Sequence, residues 1–298
     1  MQSGLLLVDK PEGPTSAQVV GRVKRILGAK KVGHLGTLDP FASGLLPLGI
    51  DDGTKIADIF LTARKSYRGV IALGSETDTQ DSTGVVAAVK EVPPIGDEEI
   101  KKLQEAFTGN LLQTPPMFSA LKKEGVRLYR LARKGQTVER APREIKIESL
   151  LLWPLGPTEL GFEVTCSKGT YIRTLAADMG QSLGCGAHLK SLRRLACGHL
   201  SVENAIRLDD VEGAKARGEV PILSLNQALS DISAVQLEGR MLSRIKLGQQ
   251  ELLAGLGAPK DGEKMLRLID SGGNLFAIVH WVDDAAGGRW RLYRVFGS

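Results

Sequence analysis

The chain has 298 residues, with 39 Lys and Arg against 34 Asp and Glu for a formal net charge of +5, and is 42% hydrophobic, 24% charged and 5% aromatic. These proportions exclude a disordered or fibrous chain and allow one large core, or one core with a small module. No run of about 18 apolar residues occurs, so no membrane-spanning helix is expected.

The start, MQSGLLLVDKPEG, lacks a basic stretch leading into a long apolar one, so no secretory signal is expected. Residues 4–8 predict a short strand, closed by the turn residues Lys10-Pro11-Glu12-Gly13-Pro14. Thr15 or Ser16 can cap a following helix. Its Val19, Val20, Val23, Ile26 and Leu27 share one face, Arg22, Lys24 and Arg25 the other, and Gly28 ends it. Residues 33–50, GHLGTLDPFASGLLPLGI, set glycines and prolines among leucines with a single acid. They read as a loop held on a scaffold that runs into a buried strand at 45–50. A helix over about 53–62 follows. Residues 65–74 and 84–92 predict strands joined by the acidic loop SETDTQDST, and Asp97 is expected to cap a helix through Phe107. Paired strands are expected at 141–153 and 159–166, a helix at 169–183, a strand over 187–200 and an amphipathic stretch at 208–217. Strands arrive in runs with helices interspersed irregularly, which predicts a mixed, largely antiparallel α+β domain with flanking helices. After about residue 225 the composition turns glycine-rich, with strand-like pieces at 266–270, 275–281 and 290–296, the pattern of a small β-rich module.

The net charge is concentrated. Residues 121–146 hold Lys122, Lys123, Arg127, Arg130, Arg133, Lys134, Arg140, Arg143 and Lys146 against Glu124, Glu139 and Glu144, a local +6, so the rest of the chain sums to −1. A generic charge run is a solvated helix face. Nearly all the excess charge in one segment points instead to contact with a phosphate backbone. Lys190, Arg193 and Arg194 form a second basic cluster compatible with the same face.

Candidate chemistry starts at Asp39, an acid in an apolar, glycine-rich loop. Such a residue before Pro40 is commonly a turn aspartate, but loops this constrained also position reactive groups. Tyr67 on its strand reads as packing or as a ring for stacking. Arg173, beside Tyr171 in a helix opening, is either a surface residue or the partner of a buried carboxylate. Asp78 and Asp81 fit a turn and lack the glutamate of a calcium loop. Cys166, Cys185 and Cys197 form no C-x-x-C pair and read as buried thiols in a reducing cytoplasm. His34, His188, His199 and His280 never stand at metal-ligand spacing, so no metal is expected. No Walker, dinucleotide or G-x-S-x-G motif is present.

The segments GLLLVDKPEGPTS, GHLGTLDPFASGLLPLGIDDGTK, KSYRGVIALGSETDTQDSTG and CSKGTYIRTLAADMG together resemble, in order and spacing, the motifs of the bacterial tRNA pseudouridine synthase B family, across residues 4–200. The resemblance implies a pseudouridine synthase catalytic domain over 1–228, with an RNA-gripping insertion at about 115–145, and a PUA-like RNA-binding domain over 229–298. It implies an isomerase that converts uridine 55 in the T loop of tRNA, working as a cytoplasmic monomer without cofactor, metal, membrane or obligate protein partner. By the same resemblance Asp39 is the essential aspartate, Tyr67 stacks on the target base and takes the proton from its carbon 5, and Arg173 pairs with Asp39. Tyr171, Asp81, His34, Leu192 and Lys10 are implied around the substrate. His34 helps displace the flipped nucleotide, Asp81 is a second acid near Arg173, and Leu192 lines the pocket. Lys122, Lys123, Arg127, Arg130, Arg133 and Lys134 fall on the RNA grip. The chemistry suits such a set. An ionised carboxylate is needed beside the sugar or base, an adjacent guanidinium favours its charged form, and an aromatic face replaces the stacking a flipped base loses. The competing readings are a non-catalytic RNA-binding or tRNA-chaperone protein and a guide-RNA-dependent pseudouridine synthase.

Overall fold

The computed structural model describes residues 3–296 apart from 120, 124, 133, 247–248, 261 and 284–286. Its centre is an eleven-stranded sheet in the order Ile206–Arg207, Gly4–Lys10, Ser43–Ile50, Ala187–Cys197, Lys65–Leu73, Glu159–Cys166, Arg143–Gly156, Gly109–Gln113, with short strands attached beside this path. Neighbours pair antiparallel except Gly4–Lys10 with Ile206–Arg207 and Ala187–Cys197 with Ser43–Ile50, so the fold is the expected mixed, largely antiparallel α+β type. Among the described residues no helix is long and apolar enough to cross a membrane.

The Gly4–Lys10 strand is apolar almost throughout because both its faces are covered. Leu6 and Val8 enter one core with Val19 and Val23 of the helix Ser16–Leu27, while Leu5 and Leu7 enter a second core with Leu45 and Phe60. Thr15, rather than Ser16, caps that helix. Gln18 donates its backbone N–H to Thr15 Oγ1 at 3.2 Å, and Gln18 Oε1 accepts from the Thr15 backbone N–H at 2.8 Å. Ser16 is thereby free to bond elsewhere.

Several predicted elements shift. The helix expected at 53–62 is a 3₁₀ turn, Asp51–Ile56, followed by Ala57–Thr62. The Asp97–Ala106 helix is capped at Gly96, not Asp97, with Glu99 Oε2 accepting from the Gly96 N–H at 3.0 Å. The acidic loop after residue 74 contains a strand of its own, Ser75–Thr77, which pairs with Val86–Val89 in a separate hairpin. The helix expected from 169 begins at Ile172, after a turn with Gly169 at φ 81°.

Residues 234–295 form a four-stranded sheet, Ala234–Gln236, Met265–Ile269, Leu275–Val282 and Arg289–Val295. Leu275, Ile278 and Phe296 pack into the core that holds Leu5, Leu45 and Phe60, so this sheet is docked on the large one through apolar contact. The three cysteines are free and buried. Among the described residues, the 115–145 insertion carries the two-residue strands Lys122–Lys123 and Val126–Arg127 and the short helix Leu128–Ala132, in which Leu128 is the buried residue, before the strand Arg143–Gly156 begins.

Candidate active site

Asp39 lies in the loop between the strands Val32–His34 and Ser43–Ile50. A loop this close to the core must have its backbone polar groups satisfied, and three side chains do so. Ser16 Oγ accepts from Leu38 N–H at 2.9 Å and donates to Leu38 O at 2.8 Å. Lys10, with no exposed surface, donates to the carbonyls of Pro11 at 2.8 Å, Pro14 at 2.9 Å and Pro40 at 3.2 Å. Arg194, 1% exposed, donates from Nε to Leu45 O at 2.6 Å, from Nη1 to Thr37 O at 3.1 Å and from Nη2 to Gly36 O at 3.2 Å. Gly44 lets the two strands close here: at φ 102° a Cβ there would stand 2.3 Å from the Arg194 carbonyl oxygen.

Arg173 reaches the loop from the start of the helix Ile172–Ser182. Its Nε is 3.0 Å from Asp39 Oδ2 and its Nη1 is 3.5 Å from Asp81 Oδ2. Nη1 also donates to Thr79 O at 3.0 Å and Nη2 to Phe118 O at 2.8 Å, so one buried guanidinium joins Asp39, the acidic hairpin and the base of the basic insertion. It meets Asp39 edge-on and spends the rest of its fork on Asp81 and two carbonyls. Asp81 is itself fixed: its Oδ1 accepts from Thr79 Oγ1 at 2.8 Å, Thr83 N at 3.0 Å and Thr83 Oγ1 at 2.6 Å. Gln80 between them holds φ 62°, a left-handed conformation that costs energy in a non-glycine residue. Burial pushes the Asp39 carboxyl above its ordinary 3.8; Arg173 pulls it back down, and the Asp81 charge adds to the rise. The Asp39 side chain keeps 37% of its surface open, which is what a reacting group requires.

Tyr67 lies directly across from Arg194 on the neighbouring strand, with Val164 on its other side. Burial pushes its phenol up to about 12, and the Arg194 guanidinium offsets part of that rise. His34 has its Nδ1 buried without a hydrogen-bond partner, and burial, reinforced by Arg194, lowers its pKa and favours the neutral ring. Leu192 is 6% exposed and two residues before Arg194, on the same face of the strand as Tyr67's partner. Tyr171 is the N-cap residue of the Arg173 helix, where burial raises its phenol.

Two expectations change on this geometry. Lys10 reads from the motif as a substrate-binding residue, yet it is sealed in and holds the Asp39 loop through carbonyls. The cluster Lys190, Arg193 and Arg194 is not one basic face, because strand alternation splits it. Arg194 is buried, Arg193 is forked onto Asp9 at 2.7 and 3.0 Å, and Lys190 pairs with Glu159. Of the basic insertion, Arg127, Arg130 and Lys134 are exposed, whereas Arg133 and the side chains of Lys122 and Lys123 lie outside the described residues.

Gln113 went unnoticed in the sequence. It is 4% exposed and exchanges two hydrogen bonds with the Tyr171 backbone, Tyr171 N–H to Oε1 at 2.8 Å and Nε2 to Tyr171 O at 3.1 Å. It therefore sets where the Arg173 helix starts. The available signal was a long polar side chain closing a strand just before Pro115 and Pro116.

The model for the N-terminal domain of TruB family pseudouridylate synthases matches residues 24–172, and that for the tRNA pseudouridylate synthase B C-terminal domain matches residues 173–232. The chain belongs to the TruB family. The tRNA pseudouridine synthase B of Geobacter sulfurreducens is 40% identical over 306 residues, covering 98% of this chain and 99% of its own. That of Geotalea uraniireducens is 42% identical over 281 residues, 93% of this chain and 91% of its own. Among solved structures, a Cbf5-Nop10-Gar1 complex contains a chain that superposes with a TM-score of 0.73 at 24% identity, covering 99% of this chain and 85% of that one, a likeness of fold. The two matched TruB segments meet between Ile172 and Arg173. Asp39 thus comes from the first segment and its guanidinium partner from the second, and only the folded chain joins them.

Proposed function

We propose that this TruB-family chain is a tRNA pseudouridine synthase that isomerises uridine 55 of the T loop to pseudouridine. The observation that carries the reading is the half-open Asp39 carboxylate 3.0 Å from a buried Arg173, in a chain about as long as relatives named tRNA pseudouridine synthase B. The target base leaves its stack and lies against Tyr67, which replaces part of the lost stacking. Asp39, kept ionised by Arg173, acts as nucleophile or base while the bond from N1 to the sugar breaks. The base turns, and carbon 5 joins the same sugar carbon. The exposed Arg127, Arg130 and Lys134 hold the phosphates of the T arm, and the C-terminal sheet serves as a PUA-like RNA contact. The chain acts alone, without cofactor or metal.

The test uses an unmodified tRNA transcript tritiated at carbon 5 of uridine. The wild-type protein is expected to release tritium and to place pseudouridine at the T-loop site, and Asp39→Asn to release none while remaining folded. An active Asp39→Asn enzyme would remove the assignment. Because the folded state holds the Asp39 proton more tightly than the unfolded chain, stability falls as pH rises from 3.8 through the raised folded value. Asp39→Asn should remove that part of the slope and melt no lower than wild type at neutral pH.

A further inference from the structure

Arg194 poses a problem that Arg173 does not. Arg173 has two carboxylates within reach, while Arg194 is equally buried and its three hydrogen-bond acceptors are neutral carbonyls. No carboxylate of the described residues forms an ion pair with it. Burying a cation without a counter-charge is costly even after partial compensation by dipoles, so neutral donors would satisfy these three carbonyls at lower cost.

Its surroundings supply a reason for the charge. The carbonyls of Gly36 and Thr37 precede Asp39 and that of Leu45 follows it, so the guanidinium spans the loop on both sides of the carboxylate. The side chain directly across the sheet is Tyr67, whose phenol is otherwise held protonated by burial. We propose that Arg194 is a positioning residue for the isomerisation, one guanidinium that both fixes the Asp39 loop and stabilises the phenolate of Tyr67. This rests on the pseudouridine synthase reading above.

The proton accounting explains why a phenolate matters. In the isomerisation carbon 5 loses one proton as it bonds to the sugar carbon, and N1, released from that carbon, gains one. If Tyr67 gives its proton to N1 and then takes the proton from carbon 5, the electron pair of that C–H bond restores the ring double bond and the phenol returns to its starting form. No outside acid or base is consumed. Between the two transfers the oxygen is anionic in a water-poor setting, where a fixed adjacent cation acts far more strongly than in water.

A double-mutant cycle separates this role from mere packing. Arg194→Met and Arg194→Lys are compared with wild type, each with and without Tyr67→Phe, by single-turnover tritium release at saturating tRNA. Arg194→Met is expected to lower the rate about 100-fold or more, within the usual range for losing proton-transfer assistance, with tRNA affinity within about twofold of wild type. Arg194→Lys, which keeps the charge but not the fork, should lose less. In the Tyr67→Phe background the Arg194→Met loss should shrink by about tenfold or more. Losses that simply multiply, or an Arg194→Met rate near wild type, would overturn the proposal. Should Arg194→Met fail to fold, the charge-retaining variant decides: an Arg194→Lys loss as large in Tyr67→Phe as in wild type rejects coupling to Tyr67. A wild-type protein without tritium release would defeat the functional reading itself, an outcome distinct from any of these.

Discussion

The loop that carries Asp39 and the insertion at 115–145 both depend on cationic side chains and use them in opposite ways. Around Asp39 the cations are buried. Lys10 and Arg194 spend their N–H groups on backbone carbonyls and so tie the loop down. In the insertion Arg127, Arg130 and Lys134 stand exposed, on or beside a hairpin of two-residue strands and a short helix in which Leu128 is the buried residue. A buried cation is a fastener, whose removal leaves acceptors unsatisfied; an exposed one is a contact, whose removal alters only what it touches. Arg173 bridges the two regions, with Asp39 on one edge of its guanidinium and Phe118 O on another.

The largest effect is expected at Lys10. Lys10→Met leaves three sealed carbonyls without a donor, at about 1–3 kcal/mol for each group that water cannot reach. Urea unfolding should show a loss of about 3 kcal/mol or more, with turnover falling too. A wild-type midpoint would mean that the ammonium fastens nothing. Next in size, the double reversal Arg127→Glu with Arg130→Glu should weaken tRNA binding about 10- to 100-fold and reduce the slope of log affinity against log salt by about 2. The unfolding midpoint and the single-turnover rate at saturating tRNA should stay put, and a large stability loss would erase the contrast between the regions. The smallest effect belongs to Lys190→Ala, which removes half of an exposed pair with Glu159. Stability should move by no more than about 0.5 kcal/mol, with tRNA affinity unchanged. A drop as large as that of the Arg127 and Arg130 reversal would return this strand to the RNA-binding surface.

Much of the fold was legible because local chemistry decides it. The Lys10–Pro14 turn, the Thr15 cap, Gly28 and the runs of alternating strands each state their own conformation. Small misplacements arose where two local solutions compete. Gly96 with Glu99 caps the helix in place of Asp97, and Ser16 leaves the cap to bond Leu38. The site was legible in part. Asp39, Tyr67 and Arg173 stood out by motif, and their roles remain those proposed above. The fate of the neighbouring cations was not legible at all. Arg193 and Arg194 are adjacent and chemically identical, and a strand sends them to opposite faces; which face is sealed depends on the elements packed against it, not on either residue. Gln113 was hidden for the same reason, because its partners are the backbone groups of a residue far along the chain.

By itself the sequence determined the α+β class, the charged insertion and an acid in a constrained loop, since composition, periodicity and turn chemistry act over a few residues. Only the tertiary structure decided which cations are buried and that Tyr67 faces Arg194. Those outcomes depend on what excludes water from each group, and water is excluded by segments distant in the chain.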